Sequence, residues 1–263
     1  MNSKISPTPY PDVNADLVRL LAAVRAALGP QLAGVYVHGS LATGDFYPPR
    51  SDVDFLVATV GELGSEWLPR LAEMHTRLAA AGGQWARKME GPYISLSALR
   101  RYDPAHAVHP ALRVDGTFAP DWHASDWIIQ RWILREHAIV LHGPPPRTLI
   151  DPVTPDDLRR AARGILAEWW APQLSDSHRL YSREYQAYAA LTMCRSLYTL
   201  KTGEVTGKRR AARWAQARLD ADQVELVERA LAWPDGEQAD ELPAVLALIR
   251  LTLAAAGLPP GEV

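Results

Sequence analysis

The sequence is short of the features that would tie it to an oxidising compartment, a membrane or a nucleic acid. It has one cysteine, Cys194, in 263 residues. No intramolecular disulfide can form, and a cysteine-based zinc site is disfavoured. His106, His109, His123, His137 and His142 also lack metal-ligand spacing. No stretch approaches the roughly 18 uninterrupted apolar residues that a membrane span requires. Residues 1 to 14 are polar, carry Pro7, Pro9 and Pro11, and lack the apolar core of a signal peptide. The expected location is the cytoplasm. Basic charge is not in excess either: 28 Lys and Arg stand against 30 Asp and Glu, a formal net charge of -2. Proteins that grip long nucleic acid neutralise phosphate with a basic surplus. A small-molecule partner is therefore favoured over DNA or RNA.

What is present is an ordinary globular composition, 48% hydrophobic and 22% charged. The periodicity predicts a helix over residues 15 to 28, with Leu17, Leu20, Leu21, Val24 and Leu28 on one face. Strands are predicted over 33 to 38, 53 to 59 and 87 to 97. A helix is expected at 66 to 81 and another near 126 to 137, followed by a short strand at 138 to 142. Pro144, Pro145, Pro146 and Pro152 then mark a stiff connector. Beyond Thr154, a suitable N-cap with Pro155 behind it, the pattern is helical almost to the end. Ala161, Ile165, Leu166 and Trp169 continue one face of the first of these helices. Further helices are expected near 183 to 201, 208 to 218, 220 to 232 and 242 to 256. The expected organisation is an α/β (α+β) domain with a mixed sheet over residues 1–150, followed by an all-α helical-bundle domain over 151–263.

The chemistry concentrates in one stretch: Gly39-Ser40, then Gly44, then Ser51-Asp52-Val53-Asp54. Gly39 and Ser40 follow a predicted strand. Glycine admits a phosphate close to the backbone, and a hydroxyl with exposed N–H groups behind it can bind one. Asp52 and Asp54 are two apart on a strand and face the same side. Adjacent carboxylates repel unless a cation lies between them, and Mg2+ suits carboxylate and phosphate oxygens. Glu90, on the next predicted strand, is the candidate third carboxylate. It could help to hold a second metal or act as general base for an acceptor hydroxyl, since a carboxylate among apolar residues gains basicity. Transfer of a nucleotide needs this set: a held triphosphate, neutralised charge and an activated acceptor.

These residues resemble the polymerase-β-like nucleotidyltransferase superfamily, with Gly-Ser, a spacer, Asp-X-Asp and a later acidic residue. More closely, the chain resembles the aminoglycoside adenylyltransferases of the streptomycin and spectinomycin type. The resemblance also rests on Ile139-Val140-Leu141-His142-Gly143-Pro144, on residues 194 to 203 (Cys194-Arg195-Ser196 to Thr202-Gly203), on Gly207-Lys208 and on Ala212-Arg213-Trp214. It implies two domains with ATP and the acceptor in the cleft between them. It implies that Asp52, Asp54 and Glu90 bind Mg2+, in two ions, with Glu90 as catalytic base. It places the ATP-phosphate cations of the helical domain at Arg195 and Lys208.

The implied co-substrate is ATP, and the implied acceptor is an aminoglycoside or aminocyclitol hydroxyl, as in antibiotic resistance. A monomer is expected. The sequence departs from the streptomycin-modifying members at two positions. Ten and fourteen residues before Arg195 they carry acids that contact the cationic drug; here Tyr185 and Tyr181 occupy those places and become the candidate substrate contacts. Glu184, Asp176 and Asp115 are alternative sources of negative charge. Two other readings keep part of the chemistry: a nucleotidyltransferase with a protein or other non-antibiotic acceptor, and a nucleotide-binding regulator without catalysis, against which an intact Glu90 argues.

Overall fold

A computed structural model of the chain describes residues 7–233 and 240–259. It contains two compact units: residues 1–123 with 130–152, and residues 124–129 with 153–263.

The first unit opens with α1, Pro11–Leu28. It begins before the predicted helix because Pro11 stands where an N–H would be unsatisfied anyway. The buried Asn14 also anchors the entry, since its Nδ2 donates to the Thr8 carbonyl at 2.8 Å and its Oδ1 accepts from the Thr8 N–H at 3.1 Å. Gly29, at φ 50°, ends it. There follow β1 (Leu32–Val37), α2 (Gly39–Thr43), β2 (Val53–Thr59), α3 (Trp67–Ala81), β3 (Met89–Ser95), α4 (Leu96–Arg100), β4 (Val108–Leu112), β5 (Phe118–Trp122), α5 (Trp127–His137) and β6 (Ile139–His142). The strands form one mixed sheet in the order β5-β4-β3-β2-β1-β6. Only β2 and β3 run parallel; the other neighbours are antiparallel.

Leu17, Leu20 and Val24 of α1 and Leu71, Met74 and Leu78 of α3 share a core with Val35, Val37, Phe55 and Val57 of the sheet. Burying these side chains stabilises each by about 1.5–3 kcal/mol. A buried carboxylate fixes α1 against the loop after α3: Asp16 accepts from the Gly83 and Ala86 N–H groups at 2.8 and 3.0 Å and pairs with Arg19. The β4–β5 hairpin has no counterpart among the predicted strands. Its strands are short, with Pro110 opposite Pro120, and its end residues Val108 and Trp122 are exposed. Neither alternation nor a continuous apolar run marks it.

In the second unit, α6 (Pro155–Ile165) starts at a capping box, with the Asp157 N–H donating to Thr154 Oγ1 and the Thr154 N–H to Asp157 Oδ2. The chain then widens into a π-helical turn, Leu166–Trp170. The wider turn rotates the side chains out of the α-helical phase. Trp170, 1% exposed, therefore enters the core, and Trp169 is only partly buried at its edge. The helices α7 (Arg183–Thr202), α8 (Lys208–Gln216), α9 (Ala221–Ala232) and α10 (Leu242–Ala255) complete the bundle. Ser182 and Asp220 cap α7 and α9, and Gly203, at φ 72°, ends α7. Cys194 is buried, a small core residue. Residues 124–129 are held through Ser125, whose N–H and Oγ both donate to Glu168, at 2.9 and 2.5 Å. Gly164 leaves room for that contact: a Cβ there would lie 2.3 Å from Ser125 Oγ. Among the described residues, no helix is long and apolar enough to cross a membrane.

Gly91 on β3 faces the backbone of β2, and an added Cβ would lie 1.9 Å from the Phe55 carbonyl oxygen. Two paired strands would have to separate. Gly91→Ala is therefore expected to lower stability by about 2 kcal/mol or more in urea titration. Gly61→Ala, whose Cβ meets nothing within 4 Å, should stay within about 0.5 kcal/mol of the parent. Equal stability of the two variants would contradict the β2–β3 pairing.

Candidate active site

Strand pairing assembles the acidic group. In the parallel β2–β3 register Asp54 lies beside Glu90, and Asp52 immediately precedes β2, two residues away and on the same side. One carboxylate oxygen from each of Asp52, Asp54 and Glu90 lies within 4.8 Å of the others. Among the described residues, no other three His, Cys, Asp or Glu side chains approach so closely. Burial pushes the Glu90 carboxyl up, and repulsion from Asp52 and Asp54 and a hydrogen bond with Asp52 raise it further, to about 8. The donor set is all hard oxygen and the crowding needs positive charge to relieve it. The residues therefore fit a divalent cation such as Mg2+.

Gly39 and Ser40 form the opposite lip. The His38 N–H donates to the Asp54 carbonyl at 3.0 Å, which ties the end of β1 to β2 just where the acids lie. Gly39 then turns at φ 61°, and a Cβ on it would fall 1.8 Å from Asp54 Oδ2. Both facts demand glycine. Ser40 lies in the first turn of the short α2, and its hydroxyl is enclosed with no hydrogen-bond partner among the described residues. Gly44, at φ 77°, ends α2. Ser51 Oγ accepts from the Tyr47 N–H at 2.9 Å and closes the turn that delivers Asp52. His38 is buried, and burial holds its pKa near 4. It is uncharged at neutral pH and supports the turn.

The second unit carries the remaining candidates. Arg195, on α7, donates through Nη2 to Thr192 Oγ1 at 3.3 Å, while its Nε is enclosed with no acceptor among the described residues. Lys208 is the first residue of α8, and its Nζ lies 5.4 Å from the Tyr188 ring centroid. Tyr185 is half-buried: its hydroxyl accepts from Trp169 Nε1 at 2.9 Å and its ring stacks on Trp170. Tyr181 is 69% exposed. Of the alternative acids, Asp176 is committed to His178 at 2.8 Å and Asp115 to the hairpin turn at Thr117.

Two carboxylates escaped the sequence reading. Asp126 is pushed up to about 7, by burial first and then by Glu168, with Arg195 opposing. Asp121, on β5, adds a small repulsion to Glu90. No spacing connects Asp126 with a glutamate in α6's π-helical extension, and the hairpin that carries Asp121 has no periodic signature.

Known proteins resemble this chain in sequence and fold. Residues 148–253 match the family model "Aminoglycoside adenylyltransferase, C-terminal domain". An aminoglycoside (3'') (9) adenylyltransferase of Escherichia coli is 26% identical over 253 residues, covering 88% of each chain. A spectinomycin 9-adenylyltransferase of Staphylococcus aureus is 26% identical over 236 residues, covering 85% of this chain and 86% of that one. Among solved structures, the fold matches the spectinomycin adenyltransferase AAD(9) of Enterococcus faecialis, crystallised with ATP and spectinomycin, with a TM-score of 0.74 at 18% identity over 92% of this chain and 98% of the other. Sequence relatives that span both units, a family model that matches the second and a shared fold agree with the acidic site of the first: the chain is a nucleotidyltransferase, similar along most of its length to the aminoglycoside adenylyltransferases.

Proposed function

We propose that the protein transfers AMP from ATP to a hydroxyl of an aminocyclitol or aminoglycoside, with spectinomycin as the best-supported acceptor. The convergence of Asp52, Asp54 and Glu90 on two paired strands carries this reading. A divalent cation held by these three carboxylates would neutralise triphosphate charge and polarise the phosphate under attack. Gly39 and Ser40 offer a close backbone approach and a hydroxyl to the same phosphates. Glu90 accepts the proton of the acceptor hydroxyl. The acceptor oxygen forms its bond to the α-phosphorus as the bond to the departing pyrophosphate breaks. Beside a bound cation Glu90 would stay ionised and able to accept, while its burial favours the protonated form that the step produces. Arg195, with an N–H to spare, and Lys208, at the positive end of α8, are the cations of the second unit whose chemistry suits phosphate oxygens.

Spectinomycin is favoured over streptomycin by the side chains at and just before the start of α7. Tyr181 and Tyr185 are uncharged, and Arg179 stacks on Trp169 at 4.8 Å beside them. Aromatic faces with a cation nearby suit an acceptor with few positive charges.

Three measurements test this. Glu90→Gln should cut acceptor-dependent pyrophosphate release by about 10²–10⁴-fold while Mg-ATP still binds; full activity in that variant would remove Glu90 from the mechanism. In a panel of acceptors with Mg-ATP, adenylylated spectinomycin should form in preference to adenylylated streptomycin, and the absence of any modified aminocyclitol would redirect the search to protein acceptors. The third is a pH profile of stability without metal. Glu90 holds its proton in the folded chain up to about 8 but loses it near the ordinary 4.5 when unfolded. Its contribution is complete below about pH 4.5 and is lost as pH rises through about 8. The melting temperature should therefore fall between pH 5.5 and 8.5, less steeply in Glu90→Gln and less steeply with Mg2+. Parallel profiles for parent and variant would show that Glu90 is not perturbed.

A further inference from the structure

The first turn of α8 is Lys208-Arg209-Arg210, with no acid among its residues. A helix N-terminus already carries partial positive charge, so cations there raise the local electrostatic energy until an anion arrives. Lysine has a flexible four-carbon stem, and Lys208 is exposed on the helix surface. Its Nζ lies 5.4 Å from the centroid of the Tyr188 ring, within the range at which an aromatic face attracts a cation. That ring is itself well supported. Tyr188, on α7, is 39% exposed; its other contacts are Tyr185 at 5.4 Å and 36°, and Trp170 at 6.2 Å and 32°. Trp170 belongs to the core of the unit, and Tyr185 is tied to Trp169 through its hydroxyl. A buried indole thus fixes two tyrosine rings, and the outer one fixes the ammonium group.

We propose that Tyr188 is a positioning residue for nucleotide binding: its ring face holds the Lys208 ammonium group ready for the triphosphate. The proposal rests on the reading of Lys208 as a phosphate ligand. It requires the ring and not the phenolic hydroxyl, because attraction to the face comes from the ring's quadrupole.

The test is titration calorimetry of the full chain with Mg-ATP on a double-mutant cycle. Lys208→Ala should weaken binding markedly. Tyr188→Leu should weaken it by about three- to tenfold, whereas Tyr188→Phe should restore affinity to within about twofold. In the Lys208→Ala background, Tyr188→Leu should cost nothing further. In turnover assays the loss in Tyr188→Leu should appear in the KM for ATP and leave kcat and the acceptor's KM nearly unchanged. Tyr188→Gln serves as a second ringless variant if Tyr188→Leu melts early. If Tyr188→Leu binds Mg-ATP as the parent does, or loses the same factor with and without Lys208, the proposal falls while the role of Lys208 stands. If Lys208→Ala binds Mg-ATP normally, the underlying reading falls and takes the proposal with it.

Discussion

Three carboxylates brought within reach of one another are the constraint around which the first unit is organised. Parallel pairing of β2 with β3 sets Asp54 beside Glu90, and the turn before β2 adds Asp52. Such a group opposes its own assembly: each ionised member destabilises the next, and Glu90 answers by holding its proton to about 8. The surrounding core must supply what the site costs. It does so with apolar strands packed against α1 and α3, and with contacts so close that Gly39, against the Asp54 side chain, and Gly91, against the Phe55 backbone, have no space for a Cβ.

The second unit holds the complementary problem in positive charge. Arg195 has an enclosed Nε without an acceptor among the described residues, and α8 begins with three cations at the end of a helix that disfavours them. Each problem has a chemical answer of opposite sign: a divalent cation would satisfy the acids of the first unit, and an anion such as a phosphate would satisfy the cations of the second. Binding sites often carry this kind of unresolved electrostatics, because the ligand rather than the fold completes it. The aromatic groups of the second unit play a different part. Trp170, Tyr185 and Tyr188 stack from the core outward, so surface side chains near Lys208 inherit the rigidity of a buried indole.

Much of this is written locally. Val53–Thr59 is a strand in the sequence pattern and in the structure, and Thr154 caps α6 as its position before Pro155 and Asp157 predicts. These features depend on neighbours within a few residues. Asp52 and Asp54 could be paired from their spacing, because period two is a property of a single strand. Glu90 was accessible only as the acid of the next strand. The β4–β5 hairpin stayed hidden because prolines and exposed ends leave no alternation, and the place of Trp169 at the edge of the core beside the buried Trp170 depends on a π-helical turn that no residue announces.

The sequence by itself pointed to the reaction class, since Gly-Ser followed by Asp-X-Asp sets a glycine turn, a hydroxyl and two carboxylates at separations that one turn and one strand dictate. It also determined the helical character of the second half, through periodicity and caps. Only the tertiary structure decided how basic Glu90 is, because that depends on burial and on charges contributed by a different strand. Tertiary structure alone also set Asp126 against Glu168 and Tyr188 beneath Lys208. Those pairs are distant along the chain, and a field or a ring contact is a property of distance in space, which local sequence does not encode.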